Sequence, residues 1–206
     1  TPEQLQHRPI LYSFRRCPYA MRARLAIGYA EQAVELREIV LRAKPAEMLL
    51  ISPKATVPVL QLPDGTVIEQ SIEVMQWALA QQDLAQWWPL NQVQQQQIMA
   101  LIAENDSAFK AALDRYKYPN RYPEPNPIFY RNQGEQFLRQ LDSVLQQQRY
   151  LVSDQISVAD VAIFPFVRQF RPTTHTSSEK ETQGQKKDTE KIICHEQARI
   201  EMTRTS

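Results

Sequence analysis

The chain has 206 residues, 24 Lys and Arg against 23 Asp and Glu for a net charge of +1, and 43% hydrophobic residues. That length suits one large domain or two small ones. The balanced, interspersed charge argues against a nucleic-acid or anionic-membrane partner, and no apolar run reaches the ~18 residues of a membrane span.

Thr1 to Arg8 has neither an apolar core nor a small-residue cleavage site, so no signal peptide is expected. Pro9 to Phe14 reads as a short apolar strand, and apolar residues then recur at helical spacing over 18–31. Cys17 therefore sits where a strand gives way to a helix. Pro18 suits the first helical position, where the amide that proline lacks would have been unpaired. This places Cys17 at the N-cap, where free N–H groups and the positive end of the helix dipole favour a thiolate. Arg15 and Arg16 add positive charge next door. The chemical reading is a nucleophilic thiol rather than a buried structural cysteine. Ala20 stands where a Cys-x-x-Cys pair would have its second sulfur, so a mixed disulfide on Cys17 needs an external thiol for release.

A strand near 34–40, a short helical segment over 45–51 and strand 57–62 follow. After them come a Pro63-Asp64-Gly65 turn, strand 66–69 and helix 71–82. Asp-Gly between two apolar runs is a hairpin signal, because Gly65 accepts positive φ. A βαβ unit followed by a hairpin and a helix is thioredoxin-like topology. Pro58 opens an apolar strand, and on the residues alone it reads as an edge-strand proline. Residues 83–91 form a linker.

From 92 the pattern becomes helical, over 92–118 and 128–148, with a third helix beginning at Ser157. Tyr118 to Pro127 holds four prolines and two asparagines and is a loop. Ser157 and Asp160 fit a reciprocal capping box, a structural pair. The expected fold is an α/β thioredoxin-like domain over 8–82 and an all-α domain over 92–171. Pro172 to Ser206 contains no Phe, Tyr, Trp or Leu. It is expected to be a polar, disordered tail, with at most a marginal helix at 187–199. Cys17 and Cys194 are far apart, which suits a reducing cytoplasm rather than a disulfide framework. His7, His175 and His195 are scattered, so no metal is expected.

Cys17-Pro18-Tyr19-Ala20 followed by a basic helix resembles the glutaredoxin active site in monothiol form. It is more similar still to the cysteine-type glutathione transferases of the omega class and their bacterial relatives. Lys44-Pro45, Val57-Pro58-Val59-Leu60, Glu69-Gln70-Ser71 and Ser157-Val158-Ala159-Asp160 extend the resemblance in the right order, from about residue 9 to about residue 170. It implies glutathione transferase architecture, a cis Val57–Pro58 bond, glutathione as co-substrate and Cys17 as the catalytic thiol. Lys44 would then meet the glycyl carboxylate, main-chain Val57 the cysteinyl part, and Gln70 and Ser71 the glutamyl end. Arg16, Pro18, Tyr19 and Pro58 would support them. Gln70 stands where close bacterial relatives often carry Glu, so Glu69 is either a compensating acid or a strand-end residue. Members normally continue with two further helices, which 172–206 is expected to lack or replace.

The activity implied is a glutathione-dependent thiol transferase or reductase acting on a small disulfide or electrophilic substrate. Conjugation of glutathione to electrophiles is one alternative, with Tyr12 the hydroxyl near the strand end. A non-catalytic scaffold is the other, and a homodimer is an open expectation.

Overall fold

The computed structural model describes residues 8–123 and 126–171. They divide into a first unit that ends at Trp88 and a second that begins at Pro89. In the first unit β1 (Ile10–Ser13) is buried from Leu11 onward, because strands lie on both sides of it. It runs parallel to β2 (Glu35–Glu38) and antiparallel to β3 (Val59–Gln61), and β3 pairs antiparallel with β4 (Val67–Ile68). The sheet order is β2-β1-β3-β4. The Glu-Leu-Arg-Glu sequence of β2 alternates in burial, as an edge strand does.

Helix α1 (Pro18–Tyr29) links β1 to β2, the short α2 (Ala46–Ile51) precedes β3, and α3 (Ser71–Gln81) follows β4. This is the βαβ-plus-hairpin topology expected of a thioredoxin-like domain. Strand 57–62 is shorter than its apolar run suggests, since Pro58 has no N–H to give the ladder. Gly65 takes φ +88 in the hairpin turn, and the Asp64 carboxylate accepts the Thr66 N–H at 2.9 Å.

The first part of the linker is fastened to this unit. The Asp83 carboxylate accepts the N–H groups of Trp87 and Trp88 at 2.8 and 2.9 Å. The Tyr29 hydroxyl donates to Asp83 at 3.1 Å, and its ring stacks on Trp87 with centroids 3.7 Å apart.

The second unit is helical. The continuous pattern over 92–118 resolves into α4 (Gln92–Glu104), one π-helical turn (Asn105–Phe109) and α5 (Lys110–Lys117). Periodicity alone does not register one extra residue in a turn. Helix α6 (Pro127–Leu145) starts at Asn126, whose side chain accepts the Phe129 N–H at 3.0 Å. Helix α7 (Val158–Phe170) is buried on most faces, with Val161, Ala162, Phe166 and Val167 all but inaccessible. Its end meets an aromatic cluster, Phe109 and Tyr116 lying 5.3 and 5.1 Å from Phe170 between centroids.

The expected capping box begins α7. Asp160 is fully buried and accepts from Leu151 N–H, Ser157 N–H and the Ser157 hydroxyl, each at 2.8 Å. Burial pushes its carboxyl above the ordinary value, and these three donors pull it back. The tail over 172–206, including the marginal helix at 187–199 and the expected departure from further helices, lies outside the described residues. No helix among the described residues is long and apolar enough to cross a membrane.

Two stability outcomes follow from this packing. Asp160→Ala orphans buried donors and should cost about 2–4 kcal/mol in urea unfolding, against ~1 kcal/mol for Ser157→Ala; equal costs would contradict the asymmetry. A Cβ built on Gly134 in α6 would lie 2.4 Å from the Phe170 ring. Gly134→Ala should therefore destabilise by about 1–2 kcal/mol, overpacking outweighing the ~1 kcal/mol gain in helix propensity. A rise in the urea midpoint would show that the ring simply moves aside.

Candidate functional site

Strand register brings three chain segments to one edge of the sheet. Tyr12 pairs with Val59, so β3 carries Val57 and Pro58 alongside Ser13 and Phe14 as β1 leads to Cys17. Ile68 pairs with Leu60, so β4 delivers Gln70 and Ser71 to the same edge.

Cys17 is the N-cap of α1, with extended backbone (φ −77, ψ 121) and Pro18 in the first turn. Its N–H donates to the Phe14 carbonyl at 3.0 Å, and its carbonyl accepts the Met21 N–H at 2.9 Å. The half-buried thiol makes no capping bond to a helix amide. Instead it points at the Val57 carbonyl, with Sγ 3.6 Å from the oxygen. The Val57–Pro58 bond is cis, so the edge-strand reading of Pro58 gives way to the one the resemblance implied. Pro18 and Pro58 are buried beside this contact, and Tyr19 is half-buried.

Arg15 and Arg16 are exposed. Arg15 ties the loop down through its main chain, its N–H reaching the Glu38 carboxylate at 2.8 Å. The side-chain cation that grips the loop is Arg24. It donates to the Ser13 hydroxyl at 2.5 Å, the Phe14 carbonyl at 3.4 Å and the Arg15 carbonyl at 3.2 Å. Burial lowers Arg24 from its ordinary range, and the charges of Glu38 and Cys17 push it back up. Arg24 thus braces the loop that leads to Cys17 and carries a charge that interacts with the sulfur.

Ser71 opens α3 and is buried, and its Oγ accepts Arg22 Nε–H at 3.0 Å. Gln70, the N-cap of α3, is exposed, and its side chain caps nothing. Glu69 is engaged elsewhere: it accepts the Ser52 hydroxyl at 2.5 Å and lies 4.0 Å from Lys54. That favours the strand-end reading of Glu69 over a compensating acid. Lys44 is half-buried on the turn before α2 and bonds none of the other candidates. Tyr12 lies in the core with Ile39, Met48 and Val59, and its hydroxyl accepts Arg37 Nη1 at 3.0 Å.

Arg22 and Arg24 escaped the sequence reading because arginines on a helix ordinarily belong to the solvated face. The signal for Arg22 was present: it falls one turn after Pro18 and one before Ala26, on the stripe that α1 buries.

The glutathione S-transferase N-terminal domain description matches residues 11–86, and the C-terminal domain description of the same family matches 91–183. No curated protein sequence matches the chain. Among solved structures, glutathione transferase Omega 3C from Trametes versicolor superposes with a TM-score of 0.77 at 18% identity. The match covers 99% of this chain and 92% of that one. A glutathione transferase family member from Pseudomonas fluorescens, solved with two glutathione bound, gives 0.73 at 19%, covering 94% and 89%. A Pseudomonas putida glutathione transferase, solved with one glutathione disulfide per subunit, gives 0.74 at 17%, covering 94% and 91%.

Arg24→Ala removes the loop's donors at once and leaves the inaccessible Ser13 hydroxyl without its partner. A loss of about 2–3 kcal/mol in urea unfolding is expected, together with slower iodoacetamide alkylation of Cys17 at neutral pH. Unchanged alkylation would show that Arg24 only braces the loop.

Proposed function

The chain belongs to the glutathione S-transferase family, and from that premise we propose that it is a glutathione-dependent thiol transferase with Cys17 as its nucleophile. The observation that carries this reading is the Cys17 sulfur at the start of α1, within 3.6 Å of the Val57 carbonyl. A helix start favours negative charge, which is what a thiolate nucleophile needs.

Glutathione would lie along the sheet edge where the three segments meet. Its cysteinyl part would pair with main-chain Val57 as an added strand does, which brings the glutathione sulfur to Cys17. Its glutamyl carboxylate would reach the amides and hydroxyl at the start of α3, at Gln70 and Ser71. Lys44 is assigned to the glycyl carboxylate. Its lack of a bonding partner among the described residues is consistent with that role. Pro18, Tyr19, Pro58 and Arg16 frame the loop and the cis bond.

The reaction has two exchanges. The Cys17 thiol gives its proton to solvent, and the thiolate attacks the glutathione sulfur of a disulfide G–S–S–R. The S–S bond breaks, Cys17–S–S–G forms, and RS⁻ leaves and takes a proton from water. A second glutathione, as thiolate, attacks the glutathione sulfur of the mixed disulfide. Glutathione disulfide leaves and the Cys17 thiolate is regenerated. Net, RSSG and GSH become RSH and GSSG. Ala20, fully buried one turn into α1, offers no sulfur to intercept the intermediate. Conjugation is the weaker reading: Tyr12 is packed in the core with Ile39, Met48 and Val59, its hydroxyl accepts from Arg37, and no bond joins it to Cys17 among the described residues.

Cys17→Ser should reduce disulfide exchange to the uncatalysed rate while glutathione binding by calorimetry survives, because the contacts assigned to Val57, Gln70, Ser71 and Lys44 do not need the sulfur. Parallel loss of binding and turnover in this variant would mean that the site is wrongly placed.

A further inference from the structure

The reaction described above makes no use of Arg22, yet this guanidinium is 1% exposed, on the helix that begins at Cys17. A buried cation is costly unless its donors are placed with purpose. Arg22 spans two parts of the site. Its guanidinium carbon lies 5.0 Å from the centroid of the Tyr19 ring, two residues beyond the nucleophile. Its Nε–H reaches across 49 residues of sequence to Ser71 Oγ.

That bond decides what Ser71 can do. A serine hydroxyl has one proton to donate and two lone pairs to accept with. Arg22 occupies a lone pair, so the hydroxyl proton must point away from the guanidinium, and it finds no acceptor among the described residues. Ser71 is thereby held as a donor. Its oxygen is polarised by a permanent cation in a buried setting, where hydrogen bonds strengthen one another. A donor backed by positive charge at the start of α3 suits a carboxylate and repels an ammonium.

We infer that Arg22 is a positioning residue for glutathione. It fixes Ser71 as a hydrogen-bond donor and so selects the carboxylate of the glutamyl end, rather than its ammonium, for the start of α3. This rests on the proposed glutathione site and deepens it: Arg22 acts through Ser71 and needs no contact with the ligand.

The test is a double-mutant cycle read by calorimetric titration with reduced glutathione. It uses the unsubstituted protein, Arg22→Met, Ser71→Ala and the double variant, with near-ultraviolet circular dichroism as the check of folding. Each single substitution should weaken glutathione about tenfold. The double variant should bind within about twofold of Ser71→Ala alone, because the effect of Arg22 on the ligand passes through the Ser71 hydroxyl. A double variant about a hundredfold weaker would show that Arg22 acts independently of Ser71 and would overturn the inference, as would tight binding by Arg22→Met. Should Arg22→Met fail to fold, Arg22→Lys takes its place in the cycle. It keeps the charge but cannot set Nε–H against Ser71, and the same loss and the same non-additivity are expected. No binding by the unsubstituted protein would overturn the glutathione site itself; binding there with Arg22 variants unaffected would overturn only this inference.

Discussion

The antiparallel pairing of β1 with β3 is the constraint on which the rest of the site depends. Pairing Tyr12 with Val59 leaves Val57 and Pro58 level with the last residues before Cys17, so the thiol meets a main-chain carbonyl contributed from 40 residues away. A slip of one residue would turn Leu11 and Tyr12 to the wrong faces of a sheet buried on both sides, which fixes the register strongly. The placement of the sulfur is therefore paid for by core packing rather than by the loop itself. Arg24 then holds the loop at Ser13, Phe14 and Arg15 so that the chain turns into α1 at a single residue.

The second unit is stabilised by different means. Helix α7 is apolar on nearly every face, and a buried carboxylate at its third position collects donors from two directions. Such a residue is costly to bury and costlier to remove. It ties the start of α7 to the turn at Leu151, while Gly134 lets the Phe170 ring lie against the α6 backbone at the other end. The glycine's helix-breaking tendency is offset by that close approach.

Much of this was legible in the chain. The Cys-Pro step, the Asp-Gly hairpin and the Ser157–Asp160 spacing each have a local physical cause, and each reads correctly one segment at a time. What local patterns could not supply were relations between segments. Glu69 meets Ser52 and Lys54 across a loop, and Tyr12 meets Arg37 on the neighbouring strand. Arg22 and Arg24 lay hidden for a related reason: whether a helical arginine is solvated or buried depends on what covers that face. The isolated Pro58 was ambiguous too, because an edge strand and a cis bond make the same demand on sequence. The π-helical turn at Asn105 stayed out of reach, since an added residue hardly alters a helical pattern.

The proposed exchange requires Cys17 itself to carry glutathione. Intact mass measurement after incubation with glutathione disulfide, followed by peptide mapping, tests it most directly. One glutathione per chain is expected, located on Cys17, absent from Cys17→Ser and removed again by reduced glutathione. An unmodified chain, or a glutathione found on Cys194 with Cys17 free, would contradict it.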